Sequence, residues 1–177
     1  MWDWSAFLPS VFAIFVGVIL SVLMWLMVTS LLSWHRRREW AKETREAIVQ
    51  ELRDNEEKIK SLKDMDPNEA SFEIPGKLAT EAYGFAFHGG RVRLLGRSYL
   101  QRELYHLEES YKYLNSYLRR VEDFVAQNWL LQAGGETDGE ADKIRSVIED
   151  MLKFAAEFAE RLLEKTIAVR EKLEKTK

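Results

Sequence analysis

The sequence predicts an all-α protein in which one N-terminal transmembrane helix continues into a cytoplasmic helical bundle built around a long antiparallel helical hairpin. Three observations predict this fold class. Residues 4–34 contain no ionisable side chain, whereas the remaining chain repeats apolar residues at alternating spacings of three and four. Glycine and proline are concentrated in a few short breaks between these periodic segments.

The apolar run predicts a membrane anchor over residues 1–34. Roughly 20 helical residues cross the hydrocarbon core of a bilayer, and this run is longer. Trp4 and Trp34 lie at its ends, where amphipathic rings favour the headgroup region. A cleaved signal peptide is the alternative, but it has a basic leading segment and a shorter apolar stretch. Here only Asp3 is charged before the run, so we expect a retained anchor.

The charges on the two sides of the anchor predict its orientation. Arg36, Arg37 and Arg38 follow the apolar run directly, and Asp3 is the charge on the other side. The positive-inside rule therefore predicts a single-pass protein of the cell membrane, with its N-terminus outside and its C-terminal domain in the cytoplasm. The absence of cysteine agrees with a reducing compartment. The same arginines are suited to contact anionic lipid of the bilayer.

Small residues recur within the predicted anchor. Ala13, Gly17 and Ser21 are spaced by four residues, which allows two helix backbones to approach closely in lipid. Such spacing also arises by chance in apolar segments. The pattern therefore favours packing between copies of the chain without establishing it.

Residues 35–64 are predicted to continue the helix beyond the membrane, because no glycine or proline interrupts residues 39–63. Their buried side is a thin seam at steps of four and three: Ile48, Leu52, Asn55, Ile59 and Leu62. Two interpretations remain open. The seam pairs with a second copy as a coiled coil, or it packs on its own domain.

Residues 65–97 are predicted to form short helices and a turn. Asp66 followed by Pro67 is typical of a helix start, and Pro75-Gly76 is typical of its end. A second short helix is expected over residues 78–87, closed by the glycines at 89 and 90.

Residues 98–177 are predicted to form the antiparallel hairpin. Two long periodic segments flank a short break at Gly134-Gly135, and a short loop between long helices produces antiparallel neighbours. The first segment carries apolar or aromatic residues at Leu100, Leu104, Leu107, Tyr111, Leu114, Leu118, Val121 and Val125. The second carries them at Ile144, Ile148, Met151, Ala155, Phe158, Leu162, Val169 and Leu173.

A further pattern spans residues 78–115 and consists of Leu78-Ala-Thr-Glu-Ala-Tyr83, Gly90, Leu94-Leu95 and the series Leu100, Leu104, Tyr111 and Asn115. This pattern resembles a segment of prokaryotic single-pass membrane proteins that have a cytoplasmic helical hairpin. The resemblance covers about a quarter of the chain. It implies an all-helical cytoplasmic module and brings no assigned activity or functional residue.

Catalytic and metal-binding patterns are weak in this sequence. Glu103 and His106 have the spacing of a di-iron bundle ligand pair, but such sites need a second pair, and the sequence has one. A nucleophilic cysteine is absent, and no Ser/His/Asp grouping is recognisable. The sequence therefore predicts neither an enzyme nor a metal or organic cofactor. The net charge of −3 and the interleaving of basic residues with Glu argue against nucleic-acid binding.

The best candidate binding site in the sequence is a turn with Arg91, Arg93 and Arg97 among glycines, before a helix start. This arrangement suits an anion such as a lipid headgroup or a phosphate. The alternative, which we favour, is that these arginines pair with acidic side chains of neighbouring helices.

Taken together, the sequence predicts a membrane-anchored homo-oligomer that acts as a structural, scaffold or regulatory subunit. Its expected partners are the bilayer, further copies of itself and another membrane protein. The alternative function is a homo-oligomeric pore or ion channel formed by the single transmembrane helices. The sequence contains no ionisable residue within the span that would support coupled transport, but this does not exclude a passive pore.

Overall fold

The computed structural model describes residues 4–64, 76–96, 98–134 and 138–175, without the side chains of residues 4–11, 131–134, 138, 140 and 141. Every regular element within these ranges is helical, and one long helix at the N-terminus is apolar over much of its length, as the sequence predicted. The elements are α1 (Trp4–Lys63), α2 (Glu81–His88), a 3₁₀ helix (Arg91–Leu95), α3 (Ser98–Gly134) and α4 (Asp138–Lys175). The expected helix start at Asp66 lies outside the described residues.

The chain divides into two compact units, Met1–Lys42 and Glu43–Lys177, and α1 contributes to both. In the first unit, α1 is long and apolar enough to cross a membrane. Its large apolar side chains from Phe12 to Trp34 are exposed. A helix that is apolar on all sides and exposed to water would be unstable, whereas lipid chains can contact all of its apolar sides favourably.

The core of the second unit lies between the C-terminal part of α1, α3 and α4. All five residues of the α1 seam are at most 3% exposed. The four apolar residues of the seam belong to one cluster with buried residues of α3 and α4. Asn55 is buried in the same region. The structure therefore agrees with the second interpretation, in which the seam packs on its own domain.

The contacts between α3 and α4 run in opposite directions along the two helices. Glu103 accepts a hydrogen bond from Lys172, and Tyr111 meets Thr166 further along α3. Later in α3, Tyr117 packs on Phe154, with ring centroids 5.0 Å apart. A second apolar cluster around Val121, Ile148 and Leu152 extends this pairing.

Charged side chains link α1 to α4 at the edge of the core. The Nε of Arg170 contacts Glu56 Oε1 at 2.5 Å, and its Nη1 lies 3.0 Å from Glu174 Oε2. Arg53 Nη2 contacts the other oxygen of Glu174 at 2.9 Å. Because the Glu56 side chain is only 9% exposed, Arg170 is the group that neutralises a nearly buried carboxylate.

The short helix α2 begins at Glu81, three residues later than the sequence predicted. Residues 76–80 form no regular element, because the backbone at Leu78 and Ala79 is bonded to side chains of other helices. Gly90 then adopts a left-handed conformation with φ of 68°. The 3₁₀ helix follows Gly90 directly, and Gly96, whose φ is 87°, follows the helix.

Candidate functional site

Two asparagines hold the segment that precedes α2. The Asn55 side chain of α1 donates from Nδ2 to the Ala79 carbonyl at 2.8 Å and accepts at Oδ1 from the Ala79 amide at 2.7 Å. The Asn115 side chain of α3 forms the same pair with Leu78, at 2.9 and 2.8 Å. Each primary amide matches the donor and acceptor of a peptide group, so both buried main-chain groups are satisfied without a β-strand. We call this arrangement the asparagine clamp.

The first turn of α2 is capped from a different helix. Thr80 precedes the helix but makes no capping hydrogen bond through its side chain. Instead, the Ala82 amide donates to Glu51 Oε2 at 2.6 Å. Burial raises the pKa of Glu51, although the α2 amides at Glu81, Ala82 and Tyr83 partly oppose that rise. The Glu51 carboxylate therefore caps the N-terminus of α2, although burial disfavours its ionised form.

A hydroxyl pair joins α3 to α4 inside the core. Tyr111 Oη and Thr166 Oγ1 are 2.8 Å apart, and Thr166 donates its own proton to the Leu162 carbonyl. Tyr111 is therefore the donor in the pair, because the threonine hydroxyl has a single proton. Burial raises the pKa of Tyr111 far above its usual range, so the phenol is neutral at physiological pH.

The surface clefts formed by described residues of the second unit include two with charged walls. The first, about 320 Å³, runs between α3 and α4 and has Glu103, His106 and Lys172 beside an apolar floor of Leu107 and Val169. Glu103 and His106, the spacing singled out in the sequence, thus line the same groove. Lys172 binds Glu103 Oε1. Among the described residues no three His, Asp or Glu side chains converge in the way that a metal site requires.

The second cleft, about 540 Å³, is bounded by α1, the segment before α2, and α3. Its lining is rich in cations and in hydrogen-bonding groups. The residues are Lys58, Lys77, Leu78, Ala79, Thr80, Glu81, Lys112, Asn115, Ser116 and Arg119. We call it the basic cleft.

Of the three arginines considered as a candidate anion site, the structure describes Arg91 and Arg93, whose surroundings differ. Arg91 lies over the Phe85 ring, with the guanidinium carbon 5.1 Å from the ring centroid. Arg93 is exposed on the 3₁₀ helix. Arg97 lies outside the described residues. The site thus stays a prediction, and the structure adds a stacking role for Arg91.

The small-residue row of the first unit is exposed along α1. A β-carbon added at Gly17 would meet nothing within 4 Å, and the Ser21 hydroxyl donates to the Gly17 carbonyl at 2.8 Å. Thr29 bonds in the same way to the Trp25 carbonyl at 2.8 Å. Both hydroxyl groups thus donate hydrogen bonds to carbonyls of their own helix, as is common for hydroxyls in apolar surroundings.

The basic flank after the apolar run is exposed at all three arginines. The guanidinium of Arg38 stacks over the Trp34 ring, 4.0 Å from its centroid. His35 Nε2 lies 3.2 Å from Glu39 Oε1 one turn later. An arginine stacked on tryptophan suits the interface between lipid and water, where both side chains are favoured.

Sequence reasoning missed most of the polar groups that organise the second unit. Glu51, Thr166 and the cations of the basic cleft lie at positions that carry no recognisable motif. Asn55 was identified as an interruption of the seam, and Asn115 as part of a resemblance. The pairing of either asparagine with a main-chain segment has no local signature.

The chain matches no known family model, and comparisons with curated proteins and with solved structures found no significant similarity.

Proposed function

We propose that the protein is a single-pass membrane protein that associates with copies of itself and acts as a structural, scaffold or regulatory subunit. In this proposal α1 crosses the cell membrane with its N-terminus outside. The second unit is a cytoplasmic helical bundle around an antiparallel α3–α4 hairpin. The observation that carries the proposal is the apolar stretch of α1, whose large apolar side chains from Phe12 to Trp34 are exposed.

Self-association is supported by the small residues of the first unit. Gly17 has open space where a side chain would project, and its neighbours in the row, Ala13 and Ser21, are also exposed. A neighbouring helix packed against this strip would gain close backbone contact, which is the principal source of helix association in lipid.

An exposed aromatic face on the second unit provides a further contact surface. It consists of Tyr113, Tyr117, Phe154 and Phe158, whose ring centroids are 5.0 to 6.4 Å apart along the series. Tyr113 is 52% exposed and Phe154 is 40% exposed. Aromatic side chains are enriched in protein interfaces because they bury a large area with few rotatable bonds. This face favours a protein partner, whether a second copy or another membrane protein.

The alternative function is a pore formed by several copies of the α1 span. The uniform exposure of the span is compatible with a ring of helices. However, the Ser21 and Thr29 hydroxyl groups donate their protons to carbonyls of their own helix. In a pore, these two residues could therefore offer ions only their hydroxyl oxygens. This makes the pore the second choice.

The decisive experiment is the subunit count of the full-length protein in lipid nanodiscs, measured by native mass spectrometry. A dimer or trimer agrees with the scaffold proposal, because so few helices cannot enclose a conduit. A ring of about four or more copies favours the pore and calls for conductance recordings in planar bilayers. A monomer across the accessible concentration range contradicts self-association.

A further inference from the structure

The basic cleft has an excess of cations on its walls. Lys58 of α1, Lys77 of the segment before α2, and Lys112 and Arg119 of α3 supply four positive side chains. Among the described residues that line it, Glu81 supplies the one carboxylate. The four cations come from three separate parts of the chain. The positive surface is therefore created by the fold and not by a local run of basic residues.

The cations differ in their freedom to bind a ligand. Lys112 contacts Glu108 at 2.8 Å and Glu109 at 3.0 Å, so its charge is already balanced. Lys58 Nζ donates to the Lys77 carbonyl at 2.7 Å, which holds the ammonium at the cleft without neutralising it. Within the described ranges, neither Lys58, Lys77 nor Arg119 has an ion pair with a carboxylate.

The wall that carries these cations is fixed by the asparagine clamp. Asn55 lies one turn before Lys58 on α1, and Asn115 lies one turn before Arg119 on α3. Both asparagines bind the main chain at residues 78 and 79, directly after Lys77. The three uncompensated cations are therefore attached to one rigid frame, which lowers the entropy lost when a ligand binds.

We propose that the basic cleft binds a polyvalent phosphate-bearing anion, with Lys58, Lys77 and Arg119 as its charged contacts and Ser116 as a hydroxyl donor. Arginine offers a planar pair of donors to phosphate oxygens, and lysine offers a point charge. A volume of about 540 Å³ is in the range of small-molecule clefts and exceeds the space that one inorganic anion fills. Two sources supply this chemistry: a free phosphate compound or a lipid headgroup with more than one phosphate.

The test uses the full-length protein in neutral phosphatidylcholine nanodiscs and inorganic pyrophosphate as the probe, followed by isothermal titration calorimetry. We expect saturable one-to-one binding that weakens as salt is added. The double variant Lys77→Gln/Arg119→Gln should bind about tenfold more weakly or worse, because it loses two charge-assisted contacts. The control Lys60→Gln/Arg120→Gln removes the same charge from exposed positions outside the cleft and should bind like the natural protein.

A second titration separates the two sources. Short-chain cardiolipin, kept below its micelle concentration, presents two phosphates on a lipid headgroup. Tighter binding of this probe than of pyrophosphate supports a lipid ligand, and weaker binding supports a free phosphate compound. The proposal is overturned if neither probe binds saturably, or if the cleft variant and the control bind equally. Circular dichroism must show equal helix content and equal melting temperature for both variants.

Discussion

At the scale of single residues, the buried tyrosines differ in whether their hydroxyl has a partner. Tyr111 donates to Thr166 in the core. The hydroxyl of Tyr83 is buried and has no hydrogen-bond partner among the described residues. Burial raises the pKa of Tyr83 to about 12, so this phenol too stays neutral.

We expect the two Tyr→Phe substitutions to have different effects on stability. Tyr111→Phe should lower the free energy of unfolding by about 1 kcal/mol, because a buried hydrogen bond is lost. Tyr83→Phe should leave it unchanged or raise it by up to about 1 kcal/mol, because an unpaired polar group is removed. Denaturant unfolding of the full-length protein in detergent measures both. Equal losses in the two variants would show that the Tyr83 hydroxyl is bonded after all.

The carboxyl group of Glu51 should make stability depend on pH. Its pKa is raised above 4.5 in the folded protein, so the folded state holds the proton more tightly than the unfolded state. Stability therefore falls as pH rises from 4.5 through the raised pKa. Glu51→Gln stays neutral and should remove this fall. Melting temperatures measured from about pH 4 to 7 test this expectation, with the exposed Glu57→Gln as the control. Parallel pH profiles for all three proteins would contradict it.

At the scale of elements, periodicity predicted most of the buried sides of the long helices, whereas the start of α2 departs from the prediction because of polar contacts. Seven of the eight stripe positions predicted in α3, all except Val125, are buried. The start of α2 was placed too early, since the apolar pattern of residues 78–87 does not reveal that Leu78 and Ala79 are bonded to asparagines. A side-chain amide that bonds to the main chain of a distant segment produces no periodic pattern in the sequence. Capping by Glu51 from another helix was unpredictable for the same reason.

Breaking one half of the asparagine clamp should loosen the segment before α2. Asn55→Ala leaves the half-buried amide and carbonyl of Ala79 without these partners, which should cost about 2 kcal/mol. Amide hydrogen exchange should accelerate most around residues 78–82. Asn128→Ala is the matched control, since the side-chain oxygen of Asn128 has no hydrogen-bond partner among the described residues. Similar losses in the two variants would mean that the clamp adds no stability beyond ordinary packing.

At the scale of the whole molecule, the proposed association depends on the small-residue row of α1. A β-carbon added at Gly17 would meet no atom of the described residues within 4 Å. We therefore expect Gly17→Leu to leave helix content unchanged while it weakens association by at least about tenfold, roughly 1.4 kcal/mol. Energy transfer between labelled copies in vesicles measures this.

The matched control for Gly17→Leu is Ile19→Leu. This residue lies about 200° further around the same helix, away from the small-residue row. If both variants associate like the natural protein, Ala13, Gly17 and Ser21 do not form the contact.

The candidate binding site illustrates what a linear sequence leaves out. A candidate anion site was named where arginines are close in sequence, at residues 91–97, although pairing with acidic side chains was the favoured interpretation. The basic cleft instead combines Lys58, Lys77 and Arg119, which are separated by stretches that fold back on each other. Charge convergence of this kind depends on the packing of α3 against α1, and no spacing rule anticipates it.

The asparagine clamp also has an evolutionary consequence. Its four hydrogen bonds go to main-chain atoms, so they are indifferent to the side chain at residue 79. Drift at that position should be tolerated, whereas positions 55 and 115 should accept almost no replacement, since no other neutral side chain of that length pairs with a peptide group. Saturation mutagenesis would then show intolerant sites at 55 and 115 and a permissive site at 79, opposite Asn55.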